Sequence, residues 1–428
     1  MKTGFVGALR IGLILVAVMI ALPAFVTGAE LAHALGTRRG IWAAFGGGAL
    51  LAVVAGLAGA AGARARASTY ELIRQAFGHR GARVVNAALG ATLIGWYGVV
   101  ATLFGDALRS VLPAGAGNVP TWMLVVAGCA LTTFTAMAGF KALDRLSALT
   151  TPLKLALLLW AFLRAIEGGL GPVMAYQPAS AVPLGTGISM VAGGLIVGAV
   201  LSPDVCRLAT TPARAAWACV VAYGLAFPAV LLLAGLPSIA THERDIVKLM
   251  LALGLGWPAM LTVVLAAWST NSFNLYSTSL VGVSLWPGAP SGRIALAAGA
   301  AGTLLGLAGV SQALVPYLVW LSIGIPPIAG VYLVHAWLCG APTPHPPGVR
   351  WRAFVSWAVG SGWAALDPIL GWSISPVPAL DALALSALAH AALLTATASV
   401  RSGFNAKTSR ARPRRTPRSR ASGSGERP

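Results

Sequence analysis

The chain has 428 residues, 57% of them hydrophobic and 10% charged, with a mean hydropathy of +0.79. A soluble domain carries about 25% charged residues, so a water-soluble enzyme core is excluded and a polytopic helical membrane protein is expected. The net charge of +19 does not point to nucleic acid as a partner. The cations lie largely in short loops and in the tail after Val400, where membrane topology and leaflet electrostatics account for them.

Apolar stretches of about 20 residues, the length that crosses a bilayer, recur about twelve times. They fall near 9–35, 41–62, 83–112, 119–139, 147–166, 185–201, 215–236, 256–286, 293–310, 313–338, 351–371 and 378–400. Lys2 and Arg10 stand at the start of the first, and Thr27-Gly28-Ala29 within it resembles a signal-peptide cleavage site. The length of this run and the spans that follow favour a retained membrane helix. Pro23 and Gly28 flank Ala24-Phe25-Val26-Thr27. Pro removes a backbone donor and Gly lowers the cost of unwinding, so a break is expected over Ala24–Thr27. Glu30 follows as the acid nearest this break. Either it couples protons, or it faces water at the outer end of the span near Arg38 or Arg39; the second is expected.

The loop 63–83 is the most basic and is placed in the cytoplasm. The sixth span carries Gly193, Gly194 and Gly198 and then Pro203, which predicts a second broken helix. Asp204 and Arg207, spaced i, i+3, are expected to form a local ion pair or gate element. The eighth span contains the polar run Trp268-Ser269-Thr270-Asn271-Ser272-Phe273-Asn274-Leu275-Tyr276. Hydroxyls and amides at membrane depth are costly unless they find partners or bind something. Hydroxyl oxygens suit small hard cations and amides suit the edges of polar heterocycles, so this run is the first candidate for the site. Cys129, Cys206, Cys219 and Cys339 form no CxxC and are read as small buried residues. The six histidines show no paired metal spacing. The sequence contains no nucleophile–His grouping, embedded carboxylate pair or phosphate loop, so no enzyme and no cofactor is expected.

With both termini inside, the inner cations before the tail are Lys2, Arg10, Arg64, Arg66, Arg74, Arg80, Arg83, Lys141, Arg145, Lys154, Arg207, Arg214, Arg293, Arg350 and Arg352. The outer ones are Arg38, Arg39, Arg109, Arg164, Arg244 and Lys248. This bias supports an inner-membrane protein with cytoplasmic termini. Residues 401–428, rich in Arg, Ser and Pro, are expected to form a disordered basic tail.

Several stretches, in order along residues 10–340, resemble the nucleobase-cation-symport-1 family and most of all its cytosine permease branch. They are Ser68-Thr69-Tyr70-Glu71-Leu72 with Phe77-Gly78-His79-Arg80-Gly81-Ala82, Gly95-Trp96-Tyr97-Gly98, Ser202-Pro203-Asp204-Val205-Cys206-Arg207, Trp268-Ser269-Thr270-Asn271 with Leu275-Tyr276-Ser277, and Ile325-Pro326-Pro327-Ile328-Ala329-Gly330-Val331-Tyr332. The resemblance implies an all-α fold of about 12 transmembrane helices, a LeuT-type 5+5 inverted repeat plus two extra C-terminal helices. Repeat one would cover 9–166, repeat two 185–338 and the extra helices 351–400, within a transporter domain of 1–400.

It also implies uptake of a nucleobase or related heterocycle, such as cytosine, another pyrimidine or purine, or hydroxymethylpyrimidine, with a monovalent cation, Na+ or H+. Residue by residue, Trp96 would stack on the ring and Asn271 or Asn274 would read its edge, with Phe25, Leu195 and Val197 beside it. Ser269 and Thr270 would hold sodium with carbonyls near Ala24–Thr27 and of Ala266. The chain departs from the family in lacking a glutamine before Trp96 (Thr92-Leu93-Ile94), in its Gly-rich sixth span, in Asn271-Ser272-Phe273 after Thr270, and in His335-Ala336-Trp337 after the span-ten motif. A pocket with fewer amides and acids suits a less polar base than cytosine or a different heterocycle. Two other readings are a membrane receptor on the same scaffold, with the tail as effector contact, and an amino-acid or amine transporter of the same fold.

Overall fold

A computed structural model describes residues 6–112, 119–310, 314–339 and 348–410. Eighteen α-helices in chain order carry these residues, α1 (Ala8–Met19) to α18 (Pro378–Arg410), and the described residues contain no named strand. Among the described residues six helical stretches are long and apolar enough to cross a membrane. The pair α1 and α2 (Leu22–Leu35), bent by 68°, passes as a seventh span, and three shorter helices are also apolar. The 30-residue α14 (Gly256–Leu285) falls outside that set, because its hydroxyls and amides lower its hydropathy.

The break in the first span is displaced from its expected place. It falls at Ile20-Ala21, where the backbone leaves the helical region, and α2 runs unbroken through Ala24–Thr27. Pro23 explains the register. It lies in the first turn of α2, where its missing N–H costs nothing, so it starts the second half-helix and interrupts neither half. The sixth span is likewise continuous through its glycines, as α9 (Leu184–Val200). It breaks only at Leu201-Ser202, before the single turn α10 (Pro203–Cys206). In the seventh span α11 (Pro212–Val221) passes through a π-helical turn, Ala222–Ala226, into α12 (Phe227–Thr241).

The basic loop 63–83 contains α4 (Thr69–Phe77). Its start is a capping box: Glu71 N–H donates to Ser68 Oγ, and Ser68 N–H donates to the Glu71 carboxylate at 2.7 Å. The Ser-Thr-Tyr-Glu-Leu motif is thus a helix-start signal. Asp204 completes it, since Thr69 N–H donates to Asp204 Oδ1 at 2.9 Å. The expected Asp204–Arg207 ion pair does not form. Arg207 instead donates to the Asp204 backbone carbonyl and to the Tyr276 hydroxyl, because the Asp204 carboxylate is turned to α4.

The bundle is closed by small residues. A Cβ on Gly28 would lie 2.4 Å from the Leu231 carbonyl oxygen, and one on Gly235 would lie 2.4 Å from the Gly28 carbonyl oxygen, so α2 and α12 touch backbone to backbone. Gly330 of α16 (Leu314–Leu338) meets α18 as closely, at Ser386 and Leu383. Tyr332, in the same motif, donates to the Val200 carbonyl at 2.7 Å and satisfies the C-terminal end of α9. Glu30 pairs with Arg244, at 2.9 Å and partly exposed, rather than with Arg38 or Arg39. Cys129, Cys206 and Cys219 are buried, whereas Cys339 is exposed. Helix α18 extends to Arg410, so residues 401–410 of the expected irregular tail are helical; the remainder, 411–428, lies outside the described residues.

Candidate functional site

The broken first span encloses, with α5 (Gly81–Val111), α9, α12 and α14, a cleft of about 800 Å³ including its open mouth. Val18, Met19, Ala21, Pro23, Ala24 and Thr27 come from the break and the first turns of α2. Thr92, Leu93 and Trp96 come from one face of α5. Across from them α9 presents Gly193, Gly194, Leu195, Val197 and Gly198. A Cβ on Gly193 would meet nothing within 4 Å, so the glycines hold this space open rather than breaking the helix. Phe227 and Leu321 close the wall.

Helix α14 supplies Thr270, Phe273 and Asn274 to the same wall. These lie at i, i+3 and i+4, one face of a helix. The wall is chiefly apolar. Its polar groups are the hydroxyls of Thr27, Thr92 and Thr270, the Trp96 indole and the Asn274 carboxamide. Thr27 donates back to the Pro23 carbonyl at 2.9 Å. Asn274 Nδ2 donates to Asn271 Oδ1 at 3.2 Å, which leaves its carboxamide oxygen and second amide hydrogen for a bound ring.

Of the expected substrate residues, Trp96, Leu195, Val197 and Asn274 line the cleft, as do Ala24 and Thr27 from the expected cation set. Phe25 and Asn271 are not on its wall. Phe25 is 1% exposed within the core, on another face of α2. Asn271 turns to α5, where its Nδ2 donates to the Tyr97 carbonyl at 3.1 Å and joins two helices. Pro23, Thr92, Phe227 and Phe273 line the cleft without having been expected to. For Thr92 the available signal was its place one turn before Trp96.

Next to the cleft lies a cluster of oxygens created by the break. The last carbonyls of a helix have no intrahelical donor. Here the Val18 carbonyl accepts from Thr270 Oγ1 at 3.3 Å, and that of Ala17 lies 3.1 Å from Ser269 Oγ. Ser269 Oγ is also 2.9 Å from the Leu265 carbonyl and 3.2 Å from that of Ala266. From the first span the carbonyls that meet Ser269 and Thr270 are therefore Ala17 and Val18, not those near Ala24–Thr27, while the Ala266 carbonyl lies beside Ser269 as expected. The reason is the position of the break, upstream of Pro23.

This cluster contains a residue that sequence reasoning placed elsewhere. Lys154, counted above among the cytoplasmic cations, is completely buried near the middle of α7 (Phe140–Ala165). It lies about 20 Å along the helix from Phe140 at 1.5 Å per residue. Its ammonium donates to the Ala17 carbonyl at 2.6 Å, the Ile20 carbonyl at 3.3 Å and Ser269 Oγ at 2.6 Å. Among the described residues no carboxylate pairs with it; the ion pairs there are Arg10–Asp144, Arg164–Glu167 and Arg244–Glu30. The available signal was a lysine between Leu153 and Leu155 in an apolar run, since an ionisable side chain inside a span marks a functional site by default.

A helix broken at mid-membrane beside a central cleft is the architecture of a secondary transporter. The sequence pattern of the family described as "Permease for cytosine/purines, uracil, thiamine, allantoin" matches residues 7–343, and the chain belongs to that family. The cytosine permease of Escherichia coli (strain K12) is 27% identical over 382 residues, covering 85% of this chain and 89% of its own; that of Escherichia coli O157:H7 is equally similar. Among solved structures, Mhp1, a nucleobase-cation-symport-1 family transporter in a closed conformation with bromovinylhydantoin bound, matches with a TM-score of 0.78 at 18% identity. The match covers 92% of this chain and 93% of that one. A Na+-coupled sialic acid symporter matches at 0.71 and 14% identity, covering 91% and 89%. These structures establish the fold, all-α and of the LeuT type; the family match makes the chain a multi-pass membrane permease, not an enzyme.

Proposed function

We propose that the chain carries a flat, weakly polar heterocycle of the nucleobase class across the cytoplasmic membrane by alternating access, coupled to a monovalent cation. The observation that carries this reading is the cleft at the broken first span. It offers an indole face at Trp96, one carboxamide at Asn274 and three threonine hydroxyls within an otherwise apolar wall. The compounds in the family's description share planar rings with amide or amidine edges, which such a wall suits. Trp96 stacks on the ring and Asn274 reads its edge, while Leu195, Val197 and Phe273 exclude water around it. Among the described residues the wall supplies no carboxylate to balance an amine, which speaks against an amine substrate. Among the described residues it has a single carboxamide, so cytosine is a poorer fit than a less polar ring such as uracil or a hydantoin.

Both termini are assigned to the cytoplasm from the loop cations, and removing the buried Lys154 from the inner set leaves that bias in place.

Uptake by the purified protein in liposomes, measured with labelled uracil, cytosine, hypoxanthine, allantoin and a hydantoin, tests the proposal. Saturable uptake of at least one ring, inhibited by its unlabelled form, is expected. Absence of saturable uptake of every ring would overturn it.

A further inference from the structure

We propose that the ammonium of Lys154 is itself the cation of the site at the first-span break, tethered where a dissociable sodium ion would bind, and that its proton is the coupling ion. The proposal rests on the permease reading above.

Ala17 and Ile20 offer carbonyls beside the break, and Ser269 offers a hydroxyl from α14. This is a neutral, hard oxygen set of the kind that binds sodium. The same three atoms accept the three hydrogens of the Lys154 ammonium, at 2.6, 3.3 and 2.6 Å. Three donors meet three acceptors, so the protonated form is fully satisfied. A sodium ion and this ammonium cannot occupy the same oxygens together. The C-terminal end of α1, where those carbonyls lie, is also the negative end of a helix dipole and favours a cation.

No other charge competes for the role. Helices α1, α6 (Thr121–Met137), α12 and α14 pack against α7. The titratable groups of α1, α6 and α14 are Arg10, Cys129 and Tyr276, and α12 has none. On α7 itself Lys141, Asp144, Arg145 and Arg164 all lie at least nine residues from Lys154, about 13 Å or more along the helix. Arg10 and Asp144 pair with each other at 2.9 Å. Tyr276 is engaged by Arg207. Cys129 is a buried thiol on α6, in a different core cluster.

The consequence is mechanical. Protonated Lys154 ties the end of α1 to α7 and α14. When Lys154 passes its proton to water, giving a neutral amine and hydronium, the amine keeps two hydrogens and presents a lone pair to its third oxygen. The tie loosens, and the broken helix is released. Reprotonation from water on the opposite side restores it, so one proton crosses per cycle. Val18 and Thr270, adjacent in sequence to Ala17 and Ser269, line the substrate cleft, so the loaded cleft and the tie share a wall.

The full-length protein is tested in two arms. In thermal unfolding, replacing choline chloride by sodium chloride should leave the wild-type Tm unchanged. Lys154→Ala, which vacates the three oxygens, should gain a sodium-dependent rise in Tm, since a ligand that binds only the folded state stabilises it. In proteoliposomes, wild-type uptake should persist without sodium, rise with an inward proton gradient and acidify the lumen as followed by an entrapped pH dye. A sodium-dependent rise in the wild-type Tm, a requirement of wild-type uptake for sodium, or uptake without lumenal acidification would each overturn the proposal. The wild-type measurements decide the matter if Lys154→Ala does not fold. If no heterocycle is carried at all, the permease reading fails, while the thermal arm still reports whether lysine or sodium holds the site.

Discussion

Truncation of Trp96 is the most direct probe of the cleft. Stacking of a base on an aromatic face contributes about 1–3 kcal/mol, equivalent to about 5-fold to 150-fold in Kd. The structure places Trp96→Ala toward the upper part of that range. Facing α5 across the cleft is the glycine-rich stretch of α9, and Gly193 and Gly194 have no side chain with which to cover the exposed ring. Trp96→Phe keeps a flat face of smaller area and should lose less than Trp96→Ala. The assay is competition binding or counterflow with the best substrate of the uptake panel, alongside thermal unfolding of each variant in detergent. Trp96 is only half buried, so the loss should appear in Kd or KM with little change in Tm. If both variants bind as tightly as wild type while remaining folded, the ring stacks elsewhere, with Phe273 the first alternative, and the assignment of Trp96 is wrong.

Other substitutions separate the cleft from its scaffold. Gly193→Leu should abolish uptake yet leave Tm near wild type, because its side chain would enter open space; loss of Tm with retained uptake would contradict this. Gly235→Ala should lower stability by about 1–3 kcal/mol or more, since its Cβ would lie 2.4 Å from the Gly28 carbonyl oxygen; an unchanged Tm would show that α2 and α12 can separate at no cost. Ser68→Ala should cost about 0.5–2 kcal/mol by removing the α4 cap, read as a lower Tm. Glu30→Gln should change stability by under about 1 kcal/mol, because its ion pair with Arg244 is solvent-exposed. It should also leave uptake proton-linked; loss of that linkage would give Glu30 the role assigned here to Lys154.

What was legible in the linear chain was whatever depends on composition and on short-range pattern. Apolar length marked the spans, the Ser-Thr-Asn run marked α14 as a site element, and the ordered motifs pointed to the family. A helix break near Pro23 was also foreseen. Its register was not, because a proline in a first turn and a proline at a kink look alike until the caps are seen. For the same reason the glycines of α9 look in the sequence like a weakness in the helix, when their effect is to leave space in a cleft. Asn271 and Asn274, three residues apart, were equivalent on paper, and only packing against α5 showed that one binds the Tyr97 carbonyl while the other faces the cleft.

Lys154 marks the sharpest boundary between the two kinds of information. The sequence determined that a lysine lies among leucines in the fifth span, but charge counting groups it with the cytoplasmic cations, because a cation is ordinarily stable in water. Tertiary structure alone brings the Ala17 and Ile20 carbonyls and the Ser269 hydroxyl, from segments more than 100 residues away, around one buried ammonium. The two carbonyls are free to accept it because α1 ends where it does. The identity of the cation in this site is therefore a property of how three helices meet.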